Sequence, residues 1–245
     1  MRFLNSFMDN DSVFGQIMTR CGILIAANLL FILCSLPVVT AGAAYAALYL
    51  TMFRCLRQKT INPFSTFWQG LKDNFKQGTL CYAGMALLGL LACLEIYWCS
   101  QSEGILRFFR YPLMAIVIIL LILACYVFPV MSVFRVSIRQ LIADSVYFAV
   151  KKPAQTLLML VLNIVPLAWT FYDQRNLPTY AFLWVLCGFS AIAMFHASRL
   201  LRMFAPYLDP DTAETEGDVP SDVQGAAPRQ KTEKEILADM KRLDV

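Results

Sequence analysis

The sequence predicts an all-α, polytopic transmembrane helix bundle of six spans, with amphipathic helices on its cytoplasmic side. Three observations carry that expectation. Of 245 residues, 58% are hydrophobic and 16% charged, whereas a soluble domain carries about 25% charged residues. The apolar residues form runs near the ~20 needed to cross a ~30 Å hydrocarbon core. The basic residues lie in short clusters between those runs, as the positive-inside rule requires. The same rule accounts for the basic body without a nucleic-acid partner. Residues 209–245 hold 10 acids and 5 bases, leaving 16 bases and 7 acids before them, so a basic body carries an acidic tail.

The first 20 residues contain Asp9, Asn10 and Asp11 and lack an unbroken apolar core before a small-residue cleavage site, so the first span is expected to stay as an anchor. Positions 3, 4, 7, 8, 14, 17 and 18 suggest an amphipathic helix leading into it. The stretch Cys21–Phe53 runs 33 residues without a charge and is interrupted by Pro37, Thr40 and Gly42. Proline, an N-cap threonine and glycine together mark a turn. Two spans follow, one to about Leu36 and one from Ala41 to about Gln58; read as a single bent span, the stretch would give five spans in total. Asn62 as N-cap and Pro63 at the first helical position start an interfacial amphipathic helix over Asn62–Lys76. Its apolar face is Phe64, Phe67, Trp68, Leu71 and Phe75, and Lys76 belongs to the polar side.

The remaining spans are Thr79–Cys99, Tyr111–Phe134, Ala154–Tyr172 and Leu177–Ser198. Pro129 and Pro166 fall inside two of them and are expected to bend them. After the fourth span, Arg135 and Arg139 stand four apart on one helix face, with Leu141, Ile142, Val146 and Phe148 beyond them. Trp98, Trp169 and Trp184, with Tyr97, Tyr111, Tyr172 and Tyr180, form an outer aromatic belt. The chain therefore divides into a bundle over residues 1–207 and an acidic, mostly disordered cytoplasmic tail over 208–245. In that tail Thr232 and Glu235 make a capping-box pattern before a short apolar stripe. The implied location is a membrane, multi-pass, with the C-terminus on the cytoplasmic side.

Candidates for chemistry are few. Asn28 and Asn163 lie near the middles of spans, where an amide bonds across helices or lines a solute path. Glu95 is a candidate proton-coupling carboxylate near a span end. His196 is the sole histidine, which excludes a multi-histidine metal site; beside Arg199 it is expected at a helix end. The eight cysteines are spaced too widely for a CxxC motif. HExxH, GxSxG, the phosphate-binding GxxxxGK[ST] and Gly-rich dinucleotide loops are all missing from the sequence. No enzyme activity, cofactor or metal is expected.

The run Asn28-Leu29-Leu30 to Leu36-Pro37-Val38-Val39-Thr40-Ala41-Gly42, followed by Ala46-Ala47-Leu48-Tyr49, resembles the N-terminal signature of the YesL-like bacterial membrane proteins. Asp73-Asn74-Phe75-Lys76-Gln77-Gly78 resembles their second signature. That family has no known function, and its members are often encoded beside sugar-uptake transporters and polysaccharide-degrading enzymes. The resemblance implies an accessory or regulatory role in carbohydrate uptake, with a membrane transporter as partner beside the lipid bilayer. A small-solute transporter or channel with a path between the spans is the alternative. With six spans, a reporter fused ahead of Met1 is expected to be active only in the cytoplasm. External labelling of that end would exclude six spans.

Overall fold

The computed structural model describes residues 13–58, 61–102, 104–134 and 136–208. The expectations for residues 3–8, for Arg135 and for the tail from Asp209 lie outside them. The described chain is helical: α1 (Val13–Ser35), α2 (Ala41–Arg57), α3 (Pro63–Gln101), α4 (Arg110–Val133), α5 (Ile138–Lys151), α6 (Pro153–Tyr172), α7 (Leu177–Leu183) and α8 (Phe189–Leu208). Six segments are long and apolar enough to cross a membrane: Gly15–Ser35, Val38–Arg57, Pro63–Gln101, Arg107–Val133, Pro153–Tyr172 and Gln174–Ala205. The uncharged Cys21–Phe53 stretch is therefore two helices, as the six-span reading requires.

Pro37 does open the turn between α1 and α2, but Thr40 and Gly42 act differently from expectation. The Thr40 hydroxyl makes no cap for α2. It donates backwards to the carbonyls of Cys34 and Pro37, the latter at 2.8 Å, satisfying acceptors that the end of α1 leaves open. Gly42 lies within the first turn of α2 rather than in the connection. A Cβ there would stand 2.3 Å from the Gly78 carbonyl oxygen of α3, and a Cβ on Gly78 would stand 2.9 Å from the Ala43 Cα. A third contact follows at Gly70, whose Cβ would lie 3.0 Å from the Ala47 Cα. Two helices thus approach backbone to backbone through small residues, the usual means of association where lipid removes the hydrophobic drive between helices.

This seam makes α2 the hub. Of its apolar window 61% is buried, against 33% for the next most buried span. Its other faces meet α1, α4 and α8. An aromatic column runs down it: Tyr45 packs on Phe31 and Phe128, Tyr49 on Tyr45, and Phe53 on Phe204. Phe204 in turn touches Phe134 and Phe148, so the column reaches α5.

The expected interfacial helix exists but does not end before the span. Asn62 accepts from the backbone N–H of Phe64 and Ser65 at 3.1 and 3.4 Å, Pro63 follows, and the helix continues unbroken for 39 residues. That is about 58 Å at 1.5 Å per residue, well beyond the ~30 Å core. Nor does its apolar stripe act as one face. Phe67 and Leu71 are buried in the protein, whereas Phe64, Trp68 and Phe75 are exposed. Beyond Gly78, Ala92 is the one buried residue of α3, and this second half pairs with α4.

The last span contains a feature with no counterpart in the sequence reading. Trp184–Gly188 forms a π-helical turn between α7 and α8. The Trp184 indole lies over Gly188, where a Cβ would fall 2.5 Å from the ring, and its Nε1 donates to Thr170 Oγ1 at 2.9 Å. Trp184 therefore faces a neighbouring helix, whereas Trp98 and Trp169 are exposed as belt residues should be.

Gly42→Ala and Gly78→Ala are each expected to lower unfolding stability in detergent by about 1–3 kcal/mol, the range for overpacking a tight contact. Gly84, with nothing within 4 Å of a built Cβ, should accept alanine without loss. Equal denaturation midpoints for all three variants would contradict the seam.

Candidate functional site

The polar side chains expected within the spans do not converge. Asn28 is fully buried. Its amide donates to the carbonyls of Trp184 and Val185 at 2.9 and 2.7 Å, and its Oδ1 accepts from the Ser190 N–H at 3.0 Å. A π-turn shifts backbone pairing by one residue and strands carbonyls; Asn28 reaches across from α1 and takes them up. All of its bonding capacity toward the last span goes to backbone, a structural use of an intramembrane amide.

Asn163 lies elsewhere, donating to the Met159 carbonyl of its own helix at 2.9 Å and approaching Cys125 Sγ at 3.6 Å. It lines an apolar cavity of about 650 Å³ between α1, α2, α4 and α6. Glu95 is exposed and lines a different hollow, between α3 and α4 beside Trp98 and Phe109. His196 departs from its expected place at a helix end. It is fully buried, with Nδ1 3.1 Å from the Tyr49 hydroxyl and Nε2 without a partner among the described residues.

The clearest polar site is at the basic end of the bundle, where α2 stops, α3 starts and α4 passes into α5. A cavity of about 380 Å³ is lined there by Arg54, Gln69, Asp73, Asn74, Gln77 and Ser132 above an apolar floor that includes Leu50 and Phe134. Arg54 donates to Gln69 Oε1 at 3.1 Å, Asn74 to the Gly70 carbonyl at 2.9 Å, and Gln77 to the Val136 carbonyl at 2.9 Å. The second signature is thus divided by helical geometry. Asp73, Asn74 and Gln77 face the cavity, Gly78 meets α2, and Phe75 and Lys76 lie on the exposed side.

Next to this cavity α5 starts at Ile138, so Arg139 belongs to it, exposed as expected. Leu141 and Phe148 are buried while Ile142 and Val146 are exposed, which narrows the expected apolar face. On the buried side lies Asp144, fully buried, both carboxylate oxygens without a partner among the described residues. Burial raises its pKa to about 6. Asp144 stands three residues after Leu141 and four before Phe148, so the helical period places it on the inner face, a polar position within an otherwise apolar stripe. The far end of α5 is tied to α8 by a polar cluster, with Lys151 donating to the Tyr207 hydroxyl at 2.8 Å and the Tyr147 and Tyr207 hydroxyls 2.9 Å apart. Among the described residues no group of three or more His, Cys, Asp or Glu side chains could hold a metal.

Comparison with known proteins finds two similarities. Residues 24–99 match a family described as a protein of unknown function, DUF624. An uncharacterised protein of Bacillus subtilis strain 168, YteU, is 27% identical over 164 residues, covering 64% of this chain and 74% of that one. No solved structure matches. The matched region contains both signatures, Asn28–Tyr49 and Asp73–Gly78, and the YesL-like resemblance drawn from them holds. The chain is thus similar, over part of its length, to a family of unknown function, and it carries six helices long and apolar enough to cross a membrane.

The Asp144 carboxyl gives a pH prediction. A folded-state pKa raised from 3.8 to about 6 means that the charged form is disfavoured in the fold. The corresponding stability is present below the unfolded value and is lost as pH rises through about 6. Asp144→Asn is therefore expected to raise the melting temperature at pH 8 and to flatten its dependence between pH 5 and 8. An unchanged pH profile would show that the carboxylate is not desolvated.

Proposed function

We propose that this protein is a nonenzymatic accessory or regulatory component of a bacterial plasma membrane that binds a membrane partner at its cytoplasmic face, the side that also carries its C-terminus. The transporter of carbohydrate uptake implied by the YesL-like resemblance is the partner this reading assigns.

The observation that supports it best is the polar cavity at the basic end, lined by Arg54, Gln69, Asp73, Asn74, Gln77 and Ser132. It gathers amide and hydroxyl groups from three segments at the rim of a bundle whose membrane portion is largely apolar. Such a mix suits recognition of a polar loop by several directional hydrogen bonds, each demanding a matched partner. Exposed Phe64 and Trp68 lie on the same arm of α3, with the Lys72 ammonium 5.7 Å from the Trp68 ring centre. Aromatic anchors beside a polar recess are the usual composition of an interface core and rim. The nonenzymatic part of the reading is supported by the placement of the sole histidine, buried against Tyr49 and away from this cavity.

Purification from native membranes in mild detergent is expected to retain a stoichiometric membrane partner. Asn74→Leu with Ser132→Leu, which fills the cavity from two sides, should weaken retention at least about tenfold, equivalent to about 1.4 kcal/mol, with the melting temperature preserved. A wild-type protein that purifies alone, or a double variant that keeps its partner, would refute the proposal.

A further inference from the structure

The cavity of about 650 Å³ between the spans has a size typical of ligand sites. Its walls include Phe31, Tyr45 and Phe128, and its lining carries no charged side chain. Two polar atoms stand on it with unused capacity. Among the described residues Ser35 Oγ is buried without a partner, and Asn163 spends its amide N–H groups on Met159 and Cys125, with no bond to its Oδ1. Leaving such groups unpaired in an apolar medium costs free energy that a matched ligand oxygen or hydroxyl restores.

The way in is from the side. Leu36, Leu121 and Ile164 line the cavity and are also exposed, at 72%, 43% and 44%. All three belong to or adjoin membrane-crossing segments, so the medium at the opening is hydrocarbon rather than water. A charged headgroup would find no counterion inside, while a bare hydrocarbon would leave Ser35 and Asn163 unsatisfied.

We infer that this cavity is a lateral binding site for a neutral membrane lipid of the glycerolipid kind, whose acyl chain fills the aromatic walls and whose hydroxyl or ester oxygen pairs with Ser35 and Asn163. The site is separate from the polar cavity at the basic end and rests on none of the partner reading above.

The test uses the whole protein in phosphatidylcholine nanodiscs with two diazirine probes of the same acyl chain, one a diacylglycerol and one a phosphatidylcholine. Peptide mapping is expected to place diacylglycerol adducts on Leu121–Phe128 and Leu160–Ile164 in severalfold excess over phosphatidylcholine adducts. Both probes should label the exposed Leu87–Leu94 face of α3 equally, which serves as the internal standard. Ala124→Phe, which projects a ring into the cavity, should abolish the cavity adducts and leave the standard unchanged. Should that variant fail to fold, Ser35→Ala removes one hydroxyl and should reduce the diacylglycerol preference toward parity. Equal cavity labelling by both probes in the wild type, or a diacylglycerol excess that persists in the altered proteins, would overturn the inference.

Discussion

The contact on which the rest of the bundle depends is the crossing of α2 and α3 at Gly42 and Gly78. With no side chain on either residue, the two backbones approach so closely that a Cβ on Gly42 would lie 2.3 Å from the Gly78 carbonyl oxygen. The alanines that follow, 43, 44, 46 and 47, are all fully buried along the hub helix. Once α3 is fixed along one side of α2, the remaining sides are left for α1, α4 and α8, and the aromatic column fills the space between them. Burying small residues against small residues yields little transfer free energy inside lipid. What it gives is dense van der Waals contact between helices.

The crossing also joins the two sequence signatures. The first signature, Asn28–Tyr49, contains Gly42, and the second, Asp73–Gly78, ends on Gly78, so each supplies one glycine of the same contact. The physical reason for two short motifs in one chain is then a single one: the hub helix and its neighbour must meet without Cβ atoms in the way. In the second motif Asp73, Asn74 and Gln77 turn toward the polar cavity, so a packing requirement and the lining of that cavity share six consecutive residues.

Much of the fold was legible in the sequence because hydrocarbon imposes simple rules on length and charge. The uncharged 33-residue stretch with Pro37 at its middle reads as two helices, and Asn62 followed by Pro63 reads as a helix start; both stand. Local patterns gave less where a distant segment decides. Gly42 reads as a turn residue until the position of Gly78 is known. The polar face before Thr79 reads as a separate helix because a change in composition resembles a break, but nothing at Gly78 interrupts the backbone hydrogen bonds. The π-turn at Trp184–Gly188 has no pattern of its own, since the group that satisfies it, Asn28, lies 156 residues earlier. Of the candidate site, Asn28 and Asn163 were recognisable as unusual, but their separate surroundings are a tertiary fact. Asp144 falls on the inner face by the helical period alone, and its full burial follows from that placement.

The long helix α3 lives under two regimes of constraint. Up to Gly78 its residues are held by specific neighbours, with Thr66, Phe67, Gly70 and Leu71 buried. Past that point Gly84 and Gly89 have nothing within 4 Å of a built Cβ, and leucines 87, 88, 90, 91 and 94 are all exposed. A substitution in the first regime has to fit a shape, while one in the second has only to dissolve in hydrocarbon. Divergence along this one helix is therefore expected to be uneven, with residue identity retained on one side of Gly78 and only apolar character on the other.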